Sequence, residues 1–156
     1  MATEKWIGGS GAGLTWTDAF STATLNSLAS GSAILSDVSI ANGTPLDMFC
    51  DLSLVLATTA TLTGVPLVEV GLYPLSDNGS NYGDGRFGSA AAGVIPAQYY
   101  LGAFQVQPGT GPHYGQLLRY AIPPGTFKFV IRNNLGQAFA SSGNTLKYRT
   151  YNRQVA

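Results

Sequence analysis

From Leu46 to Leu56 the chain alternates without a break. Leu46, Met48, Cys50, Leu52, Leu54 and Leu56 fall on one side, and Asp47, Phe49, Asp51, Ser53 and Val55 on the other. A period of two is the signature of a pleated strand with one face turned to a core, and a helix with 3.6 residues per turn cannot keep such a set together. Shorter apolar or β-branched runs lie at 33–40, 67–73, 99–106, 117–122, 127–132 and 146–151. Turn residues separate them, notably Asn42-Gly43-Thr44-Pro45, Pro123-Pro124-Gly125, Asn133-Asn134-Leu135-Gly136 and Ser142-Gly143-Asn144. No stretch carries a convincing amphipathic helix. This pattern predicts an all-β protein, an antiparallel β-sandwich of the jelly-roll kind.

At 156 residues the chain is the length of one domain and can bury a core without disulfide staples. Residues 14–156 are expected to form that domain. Residues 1–13, with Ile7-Gly-Gly-Ser-Gly-Ala-Gly13 between Trp6 and Trp16, read as a Gly-rich N-terminal arm outside the core. Leu14–Leu28 suggests a strand followed by one helical turn. Two long loops, 76–98 and 107–116, are the expected contact surfaces, because loops of this length are usually functional or disordered.

Composition narrows the function. Only 10% of residues are charged, against about 25% in an ordinary globular chain, and the net charge is zero. So weakly charged a surface favours association. The charges are also segregated. All eight acids lie at or before Asp84, where Lys5 alone opposes them, giving −7; the seven remaining bases follow, giving +7. The two halves must attract each other, either within one molecule or between neighbours. No run of about 20 apolar residues is present and the N-terminus lacks an apolar secretion segment, so a soluble protein made in a cytoplasm is expected, with no membrane association. The single cysteine, Cys50, rules out an internal disulfide.

The motifs that could carry chemistry fall short. Gly83-Asp84-Gly85-Arg86-Phe87-Gly88 matches a dinucleotide fingerprint but lacks a strand directly before it and a helix directly after it, so it reads as an ordered turn. Asp77, Asn81 and Asp84 lack the spacing of a calcium loop. Asp47 and Asp51, four residues apart on one strand, stand roughly 13 Å apart, too far for a glycosidase pair; a solvated or salt-bridged face is the better reading. His113 and Cys50 have no identifiable catalytic partner, and the sequons at Asn42 and Asn78 read as turns. No enzyme, cofactor or metal is expected.

Binding features are richer. Lys147, Arg149, Tyr151 and Arg153 share one face of the last strand, a ridge that could track a nucleic acid. Zero net charge argues against that use and for pairing with the acidic half, including the face that bears Asp47 and Asp51. Aromatic residues in the arm and loops, among them Trp6 with no local core to join, resemble interface anchors. The candidate contact residues are Trp6, Trp16, Tyr82, Asp84, Arg86, Phe87, His113, Tyr114, Lys147, Arg149 and Arg153. A glycan could use the same aromatics, with Tyr82 and Tyr114 as stacking platforms.

Three segments carry a family resemblance: Tyr82-Gly-Asp-Gly-Arg-Phe-Gly-Ser-Ala90, Ile122-Pro-Pro-Gly-Thr-Phe-Lys-Phe-Val-Ile-Arg-Asn133 and Ser142-Gly-Asn-Thr-Leu-Lys-Tyr-Arg-Thr-Tyr-Asn-Arg153. With them the chain resembles the small jelly-roll decoration, or cement, proteins of tailed bacteriophage virions. The resemblance implies a non-enzymatic structural protein that resides in the virion. Its implied partners are the major capsid protein or other virion subunits, and its own copies in a homo-oligomer, with a trimer favoured. The alternative is a carbohydrate- or receptor-binding module of a phage tail fibre.

Overall fold

A computed structural model describes residues 4–8, 14–21, 23–57, 61–77, 80–83 and 87–155. These residues form two antiparallel sheets packed face to face, an all-β sandwich. The first sheet runs β1 (Glu4–Gly8), β11 (Thr145–Val155), β5 (Phe49–Leu56), β9 (His113–Ala121), with β2 (Thr17–Asp18) also on β11. The second runs β7 (Ala91–Ala92), β3 (Ser32–Leu35), β10 (Gly125–Asn134), β6 (Leu67–Pro74), β8 (Tyr100–Gln105), with β4 (Ile40–Asn42) also on β10. Among the described residues no helix is long and apolar enough to cross a membrane.

The alternation that predicts β5 also builds the core. Cys50, Leu52, Leu54 and Leu56 point inward from the first sheet and meet Val68, Val70, Phe127, Phe129 and Ile131 from the second, all at most 2% exposed. Each such side chain contributes about 1.5–3 kcal/mol by leaving water. Phe127 and Phe129 add an edge-to-face contact with ring centres 5.6 Å apart.

The strand begins three residues later than its pattern suggests. Leu46 and Met48 are each 57% exposed, and Leu46 sits at φ 50° in the left-handed region. Asn42, itself buried, accepts from the Asp47 N–H and donates to the carbonyls of Asp47 and Pro123, while the Met48 N–H donates to Asn152 Oδ1. These bonds satisfy the backbone locally and lead it out of the sheet. The Asn42 side chain therefore serves the turn, as its sequence context suggested.

The second sheet carries a small core on its outer face. Ala33, Tyr73 and Val130 lie under Phe87 and Ile95, which arrive from the long segment 76–98. The backbone passes so close that a Cβ on Gly71 would lie 2.6 Å from the Tyr99 carbonyl oxygen, so only glycine fits there. This segment is thus held against the sheet at Phe87 and Ile95. The other long loop is shorter than expected, since β9 starts at His113. Gly115 lets β9 pass Phe104, whose ring would lie 2.7 Å from an added Cβ.

Five residues of the N-terminal stretch join the first sheet. Glu4–Gly8 pairs antiparallel with Tyr151–Val155 of the same chain as an edge strand, while residues 1–3 and 9–13 lie outside the described residues.

Candidate functional site

The outer face of the first sheet gathers more of the candidate residues than any other surface described here. β11 runs antiparallel to β5 with Arg149 opposite Asp51 and Tyr151 opposite Phe49, while Trp6 lies across from Arg153 on β1. The register therefore collects Trp6, Phe49, Asp51, Arg149 and Tyr151 from three strands. Trp6 meets the rings of Tyr151 and Phe49 edge-on at 5.4 and 6.1 Å. A tryptophan expected to have no core to join is docked on its own sheet, because both ring partners are remote in sequence and are delivered by strand pairing.

Asp51 organises this face. Its carboxylate is 4% exposed as a residue and accepts from the Arg119 N–H at 2.9 Å, the Tyr151 hydroxyl at 2.8 Å and Arg149 Nε at 2.9 Å, with Arg149 Nη2 also at 2.8 Å. Burial pushes the Asp51 carboxyl up, but the bonds from Arg119, Tyr151 and Arg149 and the positive charge of Arg149 outweigh it and hold the group below its usual range. The Tyr151 hydroxyl moves the other way, to about 12, through burial and then through its bond to the ionised Asp51. The expected salt-bridged face is present, but it is not a solvated one. Asp47 is buried too and accepts from Asn152 Nδ2 at 3.0 Å.

The opposed halves of the charge pattern meet within one chain. Lys147 pairs with Asp18 at 3.2 Å, Arg149 with Asp51 at 2.8 Å and Arg132 with Glu69 at 2.8 Å. Each of these pairs joins an acid before Asp84 to a base after it. Arg149 also lies over the Trp16 ring at 4.5 Å, which brings a second predicted tryptophan to the same face.

Other candidates lie elsewhere. Tyr82 stands over the outer face of the second sheet, with Lys128 Nζ 5.0 Å from its ring centre and its hydroxyl bonded to Ser39 Oγ at 2.9 Å. It lines a groove of about 500 Å³ together with Asp37 and Lys128. Phe87 is 5% exposed and serves as an anchor of the outer core, not as a surface contact, because the segment that carries it folds back on Tyr73 and Val130. Asp84 and Arg86 lie outside the described residues. Tyr114 is 75% exposed at the start of β9; the neighbouring His113 has Nε2 buried with no hydrogen-bond partner among the described residues.

Cys50 and Asp77 have structural surroundings. Burial, and secondarily the charge of Asp51, push the Cys50 thiol up to about 12, where it is protonated and inert at neutral pH. Asp77 accepts from the Asn81 N–H and its side-chain amide, the behaviour of a turn residue. Among the described residues no three His, Cys, Asp or Glu side chains gather as metal ligands.

Arg119 escaped the sequence reading altogether. It enters the site through an irregularity in β9, where Cys50 pairs with Tyr120 but Leu52 pairs with Leu117, so that Leu118 and Arg119 together oppose Asp51. Nothing in the run Gln116-Leu-Leu-Arg-Tyr120 marks that bulge. The buried Asp51 was half visible, as an acid on the outer face of the clearest strand. No known protein family, curated protein or solved structure matches the chain.

Proposed function

We propose that this chain is a non-enzymatic structural subunit of a bacteriophage virion, a capsid decoration or cement protein that acts by binding neighbouring subunits. The observation that carries the reading is the edge of β9. Among the described residues this strand ends the first sheet and pairs on one side only, with β5. Its stretch His113-Tyr-Gly-Gln-Leu-Leu118 contains no Lys, Arg, Asp or Glu, and it exposes Tyr114 at 75% and Leu118 at 54%. Proteins that stay monomeric blunt such edges with lysine, proline or a bulge. Here the bulge falls at the far end, beside Arg119, and among the described residues it leaves His113–Leu118 open as a template for another strand.

Lys147–Asp18, Arg149–Asp51 and Arg132–Glu69 pair within the chain, and the β9 edge itself offers a partner apolar side chains, an aromatic ring and backbone hydrogen bonds. A homo-oligomer, with a trimer favoured, and the major capsid protein are the proposed partners. Sedimentation velocity tests the self-association: the wild-type chain sediments as an oligomer, and the double variant Tyr114→Lys/Leu118→Lys, which charges the edge, sediments as a monomer. A wild-type chain that stays monomeric at all concentrations, or a double variant with unchanged assembly, rules out the β9 edge as the assembly surface.

A further inference from the structure

Arg119 is strained, and the strain has a visible result. Its φ of 63° lies in the left-handed region, which a long L side chain seldom adopts and which tends to mark functional positions. The bulge that imposes this conformation turns the Arg119 N–H onto Asp51 and aims the guanidinium over the Trp6 ring, 5.1 Å from its centre. A regular strand at this position would pair residue for residue with β5 and would leave no backbone donor for the buried carboxylate.

Among the described residues the charges at this spot do not close. Asp51 is taken up by Arg149 on two bonds, and together they are neutral. The Arg119 guanidinium is a second positive group whose partner among the described residues is an aromatic face and not a carboxylate. An arginine head offers five N–H donors in a flat fork matched to a carboxylate, and a ring face satisfies the charge but not that fork. Beside it lies a cleft of about 210 Å³, walled by Trp6, Leu14 and Leu118 over the Asp51–Arg149 pair. A water molecule takes about 30 Å³ of liquid, so this cleft has room for a carboxylate with a short hydrocarbon stem.

We propose that the cleft is a carboxylate-binding site: an acid group carried on an apolar stem pairs with the Arg119 fork while its stem lies between Trp6 and Leu118. The arginine is pre-positioned by the bulge, and its stacking on Trp6 limits the freedom it loses on binding. An acidic side chain of a neighbouring protein and a free small carboxylate present the same chemistry. This proposal stands independently of the virion reading, because it concerns a ligand of the isolated chain.

The test follows the Trp6 indole N–H and the Arg119 Nε–H by heteronuclear NMR while 3-phenylpropionate is added, with 3-phenylpropionamide as the neutral control. The acid is expected to shift both signals saturably and the amide to do so at least tenfold more weakly. Arg119→Gln keeps the backbone N–H that Asp51 needs, so it should fold and lose the acid's advantage; Arg119→Lys should retain part of it. A second arm compares the peptide acetyl-Leu-Glu-Leu-amide with its Gln counterpart. Stronger binding of the Glu peptide than of 3-phenylpropionate identifies a protein-borne carboxylate, and binding of the small acid alone identifies a free one. Equal shifts with acid and amide, undiminished acid binding by a folded Arg119→Gln, or no shift at tens of millimolar would each overturn the proposal.

Discussion

Replacing Asp51 by alanine should be among the most damaging single changes on the outer face. The substitution removes the acceptor for four donor contacts, from the Arg119 N–H, the Tyr151 hydroxyl and two nitrogens of Arg149. The Tyr151 hydroxyl loses its partner in a buried position, a loss of about 1–3 kcal/mol, and the Arg119 N–H loses about 1 kcal/mol. The Arg149 side chain is 27% exposed and can recover some hydration, so its share is nearer 1 kcal/mol than the full cost of stranding a buried charge. The total is about 4 kcal/mol, which for a domain of this size lowers the melting temperature by about 10 °C. Asp51→Asn keeps one acceptor and loses the charge, and should cost about half as much.

The same experiment run against pH isolates the charge. The folded-state carboxyl of Asp51 is held below its unfolded value of about 3.9. Its contribution is therefore complete above about pH 4 and is lost as pH falls through the lower folded value. The difference between wild type and Asp51→Ala should be complete at neutral pH and narrow in strong acid. Denaturant unfolding followed by tryptophan fluorescence reads both quantities, because Trp6 and Trp16 lie on this face. A cost under about 1 kcal/mol at neutral pH, or a gap between the two proteins that does not narrow in acid, refutes the organising role given to Asp51.

Three other substitutions and probes follow from the packing. Gly71→Ala drives a methyl group to within 2.6 Å of a carbonyl oxygen and 2.8 Å of Val130, so β6 or the segment crossing it must shift; a loss of at least 2 kcal/mol is expected by chemical denaturation. Phe87→Ala removes an anchor of the outer core and should cost about 3 kcal/mol, with hydrogen exchange and limited proteolysis showing the described parts of 76–98 released while β5, β10 and β11 stay protected. Cys50 should resist thiol reagents in the folded protein at neutral pH and react at once in denaturant, since its thiol is fully buried and its pKa is about 12. Rapid labelling of the native protein would contradict the placement of this side chain.

What could be read from the sequence was what local pattern controls. The period of two in 46–56 placed Cys50, Leu52, Leu54 and Leu56 inward, and the same pattern put Lys147 and Arg149 on the side of β11 that meets Asp18 and Asp51. Leu46 and Met48 continue that pattern faultlessly and still face solvent, because Asn42 and Asn152 capture the backbone first. Trp6 looked coreless because Phe49 and Tyr151 are supplied by register. Phe87 looked like a loop-tip contact because Gly83, Gly85 and Gly88 surround it, yet a large aromatic among glycines is also what anchors a segment to a sheet. Arg119 could not be found at all: its position depends on a one-residue slip between β9 and β5 that no residue in either strand announces.

As a proposed virion component, the chain has to be found on phage particles. The direct measurement is negative-stain microscopy of purified intact phage particles with a gold-coupled antibody raised against the chain. A capsid decoration protein predicts gold distributed regularly over the head surface, with the chain co-purifying with particles through a density gradient. Bare particles, with the chain recovered only from the soluble fraction of the lysate, would contradict it.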